Sequence, residues 1–214
     1  MMKRDTTRSN IVKATLEIFS REDFDSGTMR SIAKKARIVP SNIYKYFKNK
    51  DELLSAVLDI VAERILAGAK PEATDVDTTR DKIYALTMYY LDYYQSNPGL
   101  AYLIYGRNIL QHWYECNTIY NRARELGNIL VDIIVDGQKV GDVRQDVDMH
   151  LISHIYHGGL RNLVTSWLYH NRDFNLTDSA RSFSDTIYYS VSAIVPSTGA
   201  VVCPYYKKHV DALT

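Results

Sequence analysis

The stretch 28–53, TMRSIAKKARIVPSNIYKYFKNKDEL, constrains this chain more than any other. It reads as helix, tight turn, short helix. Thr28 is placed to cap the first helix, its hydroxyl accepting from a backbone N–H two or three residues on, and Met29, Ile32, Ala33 and Ala36 then recur at helical spacing. Arg37, Ile38 and Val39 break that pattern. Pro40 supplies a pre-set φ for the first position of a second helix, to which Ile43, Tyr44 and Phe47 give an apolar side. Two helices joined this tightly make a helix-turn-helix, whose second helix projects far enough to enter a DNA major groove.

The charge distribution agrees with that reading. The net charge of the whole chain is +1, but residues 1–50 hold 12 Lys and Arg against 5 Asp and Glu, while residues 51–214 hold 14 against 20. A basic head on an acidic body is the asymmetry of a protein whose head neutralises phosphates. With 214 residues, 46% of them hydrophobic, the chain can bury a substantial core. No apolar run reaches membrane-spanning length and no secretory leader opens the sequence, so a cytoplasmic protein without a membrane partner is expected. Cys116 and Cys203 are too few and too distant in sequence for a disulfide framework or a paired zinc motif.

Ile32-Ala33, Ile43-Tyr44, Tyr46-Phe47, Lys50 and Leu53 carry a resemblance. Their order and register make residues 8–58 similar to the N-terminal DNA-binding domain of the TetR family of transcriptional repressors. Two positions depart from the family pattern: Arg37 stands where a glycine is usual, and Val39 where a Ser or Thr cap is usual, which bears on the turn and on the start of the recognition helix. The resemblance implies that Pro40, Ser41, Asn42, Tyr44 and Lys45 face the groove and that Thr28, Tyr46 and Lys50 meet phosphate. Side-chain chemistry agrees: Asn42 suits adenine and Lys45 guanine, Pro40 offers apolar contact to a thymine methyl, and the second group fixes register without reading sequence.

Beyond residue 60 the similarity is one of helix pattern. Before the motif, residues 6–20 form a supporting helix with an apolar stripe of Ile11, Val12, Thr15, Leu16, Ile18 and Phe19, joined to it through Phe24, Asp25 and Gly27. Asn49 with Glu52 three residues on is a capping-box start for a connecting helix over 50–67, and Gly68, Pro71 and Asp75-Val76-Asp77 mark a linker. Helices are expected over 79–96, 98–112, 118–136, 148–170 and 178–195, with Gly137 and Gly141 as stops and Asp148 and Asp178 as N-caps. The fold is therefore all-α: a DNA-binding domain over 1–49 with its connecting helix, and a larger ligand-binding and dimerisation domain over 68–214. The tail after Pro196 is expected to be irregular, docked through Val201, Val202, Tyr205 and Tyr206.

Seventeen tyrosines are distributed unevenly, seven of them crowding residues 84–105. Tyr90, Tyr93 and Tyr94 share a helix side, and with Tyr105, Trp113 and Tyr156 they are the candidates for lining an effector cavity with apolar walls and polar tips. In the 148–170 helix, Ile152, Ile155, Tyr156, Gly159, Leu160, Leu163 and Trp167 form an apolar stripe, with His150, His154, His157 and Arg161 opposite. The Gly158-Gly159 pair points to close helix approach. By resemblance this helix and the last one, which carries Phe183, Ile187 and Val191, pair with their symmetry mates in a homodimer. His150, His154 and His157 have metal-compatible spacings, but no carboxylate or thiol shares their face; no metal and no cofactor is expected. The function implied is a homodimeric repressor of a palindromic operator on double-stranded DNA, released by a small-molecule effector. The segment 141–168 resembles fatty-acid- or acyl-CoA-responsive members of the family, so a bulky apolar effector is expected. The alternatives are DNA binding without an effector and a helical enzyme, the latter lacking any strong catalytic motif.

Overall fold

The computed structural model describes residues 2–19, 27–105 and 117–193. The described residues are helical almost throughout. They comprise α1 (Met2–Phe19), α2 (Met29–Lys35), a 3-10 helix (Pro40–Lys45), α3 (Lys50–Thr74), α4 (Thr79–Ser96), α5 (Pro98–Tyr105), α6 (Asn117–Val140), α7 (Met149–Tyr169), a short 3-10 helix (Leu176–Ser179) and α8 (Ala180–Val191). The chain groups into two compact units, Met1–Arg64 with Ser96–Ala123, and Ile65–Gln95 with Arg124–Thr214. Among the described residues no helix is long and apolar enough to cross a membrane.

In the first unit α1 packs on α2 and α5, and α2 on the first 3-10 helix. The core is the one the periodicity predicts: Ile11, Val12, Leu16, Ile32, Ala33, Ile43, Phe47 and Leu53 are buried. Burying side chains of this size contributes roughly 1.5–3 kcal/mol each, enough to hold a small three-helix head. Thr15 sits among them because its hydroxyl donates to the Ile11 carbonyl at 2.8 Å. Thr28 caps α2, its Oγ1 accepting from the Ser31 amide at 3.1 Å. At the head of α3, Asn49 Oδ1 accepts from the Glu52 amide at 2.8 Å, and Glu52 returns the interaction to the Lys48 amide at 2.7 Å.

Several boundaries differ from the sequence expectation: α1 begins at Met2 rather than residue 6 and α8 ends at Val191 rather than 195, and three other differences have a structural reason. α3 continues through Gly68 and Pro71 to Thr74, where a linker is expected. Packing overrides the local signals: Leu66 and Ala69 are buried, and the Tyr89 ring lies so close to Gly68 that its Cζ would be 2.6 Å from an added Cβ. Gly137 lies inside α6 because Val143 and Thr79 press on it, and the helix stops at Gly141, whose φ of 84° suits glycine. Asp178 does not cap α8; it falls in the preceding 3-10 helix and accepts from the Asn175 side chain at 2.7 Å. Asp148 does cap α7, accepting from the His150 and Leu151 amides.

In the second unit, α4, α7 and α8 enclose a core of Ile83, Leu86, Leu91, Ile152, Tyr156, Leu160, Val164, Trp167, Ile187 and Val191. The 141–144 segment clasps the end of α8: the Arg144 amide donates to the Val191 carbonyl at 3.0 Å and the Ala193 amide to that of Asp142 at 2.9 Å. Arg80 of α4 and Asp185 of α8 form a two-pronged ion pair, Nε to Oδ1 and Nη2 to Oδ2, both at 2.8 Å. Arg181 stacks on Tyr84, 3.6 Å from the ring centroid. The outer part of the expected 98–112 helix, the Phe24-Asp25 loop, both cysteines, Trp113 and the tail after Pro196 lie outside the described residues.

Candidate nucleic-acid interface and aromatic interior

The 40–47 segment presents two faces. Ile43 and Phe47 are fully buried, whereas Pro40, Ser41 and Lys45 are exposed and Tyr44 is 55% exposed. Tyr44 thus leaves the apolar side on which periodicity puts it, since Ile43 and Phe47 fill that side. Asn42, Tyr46 and Lys50 are half-buried at the rim, and Thr28 is exposed at the cap of α2. The second element of the motif is a 3-10 helix of six residues rather than an α-helix, held by the Asn42 amide on the Val39 carbonyl at 2.8 Å and the Tyr46 amide on that of Ile43 at 3.0 Å.

The two departures from the family pattern have distinct structural outcomes. Arg37 takes up the left-handed conformation, φ 57°, that a glycine adopts at no cost, so the turn geometry survives a residue that strains it. Val39 has an extended backbone and gives no side-chain cap, leaving an apolar side chain 61% exposed beside Pro40. In the sequence Val39 stands out only as a missing cap; its exposure makes it part of the same surface. Arg8 lies over the Phe47 ring, 4.9 Å from its centroid, and ties α1 to the motif.

The tyrosines divide. Tyr90 and Tyr94 are almost wholly buried, Tyr156 is fully so, and Tyr93 is half-buried. Their rings form a continuous set: Tyr89 to Tyr90 at 6.1 Å, Tyr93 to Tyr94 at 5.8 Å, Tyr90 to Tyr156 at 6.5 Å and Tyr156 to Phe183 at 5.6 Å between centroids. Burial, and then the Glu72 charge, push the Tyr89 hydroxyl above its ordinary pKa, so it stays neutral. Thr87 donates its single proton to the Ile83 carbonyl at 2.7 Å, so in its 3.1 Å contact with Tyr156 the tyrosine hydroxyl is the donor. Tyr105 ends α5 in the other unit.

On α7 the expected histidine row splits. His150, His154 and Arg161 are exposed, but the half-buried His157 turns inward: its Nδ1 is 2.9 Å from the Ser153 carbonyl, its ring stands edge-on to Tyr90 at 6.1 Å, and its Nε2 is buried with no hydrogen-bond partner among the described residues. Ile155, expected on the buried stripe, is 52% exposed. The buried line runs through Ile152, Tyr156, Leu160 and Val164; residues on either side of it diverge by about 100°, so one neighbour of Tyr156 faces solvent and the other faces α4. Phe183 is half-buried against Gly159, and Ile187 and Val191 are buried within the unit. Among the described residues no cluster of His, Cys, Asp or Glu is placed to hold a metal ion.

Comparison with known proteins gives this geometry its family. Residues 11–57 match the N-terminal model of the bacterial regulatory proteins of the tetR family, and residues 66–189, more than half of the chain, match that of the YsiA-like protein C-terminal region. The chain is 28% identical over 154 residues to the HTH-type transcriptional repressor NicS of Pseudomonas putida, covering 71% of each. Its fold is similar to that of the regulator FadR from Bacillus subtilis, solved in complex with stearoyl-CoA, at a TM-score of 0.75 and 19% identity over 86% of this chain and 98% of that one. It is also similar in fold to RolR, solved with resorcinol, at a TM-score of 0.64 and 15% identity over 92% of this chain and 99% of that one. With a helix-turn-helix at its head and a YsiA-like helical body behind it, this chain belongs to the TetR family of transcriptional regulators, which are DNA-binding proteins and not enzymes.

Proposed function

We propose that the protein is a homodimeric repressor of a roughly palindromic operator, released by a mostly apolar small molecule. The observation that carries this reading is the division of the 40–47 segment, in which Ile43 and Phe47 anchor the element while Pro40, Ser41, Tyr44 and Lys45 stay exposed. Asn42 and Lys45 read base edges, Ser41 tolerates either partner, Tyr44 faces the groove, and Pro40 with Val39 meets thymine methyls. Thr28, Tyr46 and Lys50 bond phosphate oxygens and set the register.

The dimer seam lies on α7. Leu151, Ile155, Gly158, Asn162, Thr165 and Tyr169 alternate at offsets of four and three along the side away from the subunit core, with Leu151, Ile155 and Tyr169 56%, 52% and 83% exposed. That is the spacing of a helix-pairing seam. Among the described residues nothing lies within 4 Å of where a Gly158 Cβ would be, which leaves room for a second helix to approach closely. His150, His154 and Arg161 form its polar margin, and Phe183, Ile187 and Val191 hold α8 in place beneath it.

The effector lodges against the aromatic set of Tyr90, Tyr93, Tyr94 and Tyr156. It need only bind more tightly to the dimer whose recognition helices are wrongly spaced for successive major grooves, a coupling of about 1–3 kcal/mol in typical cases. Proteins of similar fold are solved with stearoyl-CoA and with resorcinol, which share an apolar portion, a long chain in one and a ring in the other, beside polar groups.

Binding to DNA from around the protein's own gene tests the reading, measured against scrambled DNA at two salt concentrations. Asn42→Ala and Lys45→Ala are expected to relax base preference by about 1–3 kcal/mol at the contacted position, while Lys50→Ala weakens all sequences alike and lowers the salt slope by about 1. Equal loss of discrimination from all three variants would overturn the division of roles. Binding that vanishes alike for both DNAs near physiological salt would overturn the repressor itself.

A further inference from the structure

We infer that His157 is the polar anchor of the effector, accepting through Nε2 a hydrogen bond from a neutral hydroxyl on a mostly apolar molecule. The inference rests on the effector-responsive reading above and deepens it. Carbonyl oxygens only accept, so the 2.9 Å contact between His157 Nδ1 and the Ser153 carbonyl places the proton on Nδ1 and leaves Nε2 a bare lone pair. The Nε2 atom is buried within a half-buried side chain and meets no donor among the described residues.

A buried acceptor without a partner forfeits its hydration, and native interiors seldom leave one unexplained. The neighbouring polar group whose proton can be assigned is not its partner: Tyr156 is committed to Thr87. Two tyrosine rings lie against the imidazole, Tyr90 edge-on at 6.1 Å and Tyr156 at 5.0 Å, with Phe183 5.6 Å from Tyr156. Burial keeps the imidazole pKa below its ordinary value, so the ring is neutral near pH 7.

A neutral acceptor in an aromatic wall selects its ligand by chemistry. A carboxylate, a phosphate or a thioester carbonyl would set lone pair against lone pair and gain nothing there. An O–H donor gains a hydrogen bond in surroundings where water does not compete. The class that fits is a neutral hydroxyl compound, phenolic or aliphatic, with an apolar remainder.

The test uses the full chain with para-octylphenol and its methyl ether, para-octylanisole, in which a methyl group replaces the donor hydrogen; the His157→Phe ratio separates loss of the donor from that added bulk. Calorimetry is expected to give the phenol roughly five- to tenfold tighter binding, the worth of one neutral hydrogen bond, and the ratio should fall to about one in His157→Phe, which keeps a ring and removes the acceptor. Imidazole nitrogen NMR of the unsubstituted protein, which needs no variant to fold, should show Nε2 unprotonated when free and shifted by the phenol alone. Equal affinity for the two probes, a ratio that persists in His157→Phe, binding of neither probe, or an Nε2 already bonded in the free protein would each overturn the anchor. Release of operator DNA is scored separately: His157-dependent selectivity without release supports the anchor and sinks the effector reading, and release by both probes alike does the reverse.

Discussion

Gly158 and Gly159 are adjacent in α7, yet alanine at the two positions should have opposite consequences. A Cβ at Gly159 would lie 2.6 Å from Phe183 Cε2 and 2.9 Å from its Cζ. Carbon contacts are optimal at about 3.5–4.0 Å, so the ring must retreat by roughly 1 Å. It cannot do so freely, because Tyr156 backs it at 5.6 Å between centroids. Overpacking of this kind costs about 1–3 kcal/mol, against a gain of about 1 kcal/mol for replacing glycine in a helix interior. Gly159→Ala should therefore be neutral to about 2 kcal/mol less stable. A Cβ at Gly158 meets nothing within 4 Å among the described residues, so Gly158→Ala should stabilise the subunit by about 1 kcal/mol. In the proposed seam that same methyl separates two helices and weakens the dimer. Urea unfolding of both variants over a range of protein concentrations distinguishes the effects, because dimerisation makes apparent stability depend on concentration. Gly159→Ala should show the same change, from none to a loss of about 2 kcal/mol, at every concentration, while Gly158→Ala should raise stability when dilute and lose that advantage when concentrated. If Gly159→Ala proved the more stable of the two in dilute solution, the packing argument would be wrong. A Gly158→Ala gain that persisted undiminished at high concentration would refute the seam.

Three further expectations come from particular residues. Arg37→Gly removes left-handed strain of about 1–2 kcal/mol but adds about 0.4–1 kcal/mol of unfolded-chain freedom, so thermal unfolding should show a net gain of about 1 kcal/mol or less; a clear loss would mean Arg37 is held there by something stronger. Asp185→Ala should destabilise the body by about 1–3 kcal/mol, less than a fully buried pair would, because Arg80 stays 41% exposed and rehydrates; an unchanged denaturant midpoint would reduce the pair to a surface contact. His157, whose burial holds its pKa below 6.5, makes the unfolded state the better proton acceptor. Its neutral form contributes full stability above pH 6.5, and that contribution falls as pH drops from there toward the folded pKa, so His157→Phe should flatten the pH dependence of stability in this window; parallel curves for the two proteins would count against a neutral, desolvated imidazole.

What the sequence determined by itself is local. The Thr28 cap, the Asn49–Glu52 exchange, the Asp148 cap and the burial of Ile32, Ile43, Phe47 and Leu53 each depend on residues within about one helical turn, where spacing and donor chemistry act almost independently of the rest of the chain. The family resemblance belongs here too, because the motif is contiguous. Tertiary structure decided what one helix does against another. The Arg80–Asp185 pair spans 105 residues and the Thr87–Tyr156 contact 69, distances over which no sequence pattern announces a partner. Gly68 and Pro71 read as a linker until the close approach of Tyr89 keeps them helical. His150, His154 and His157 look equivalent along one helix, and Gly158 looks like Gly159. Their fates diverge because rotation of α7 about its axis is fixed by α4 and α8 packing on it, and a step of about 100° between neighbours is enough to exchange solvent for core.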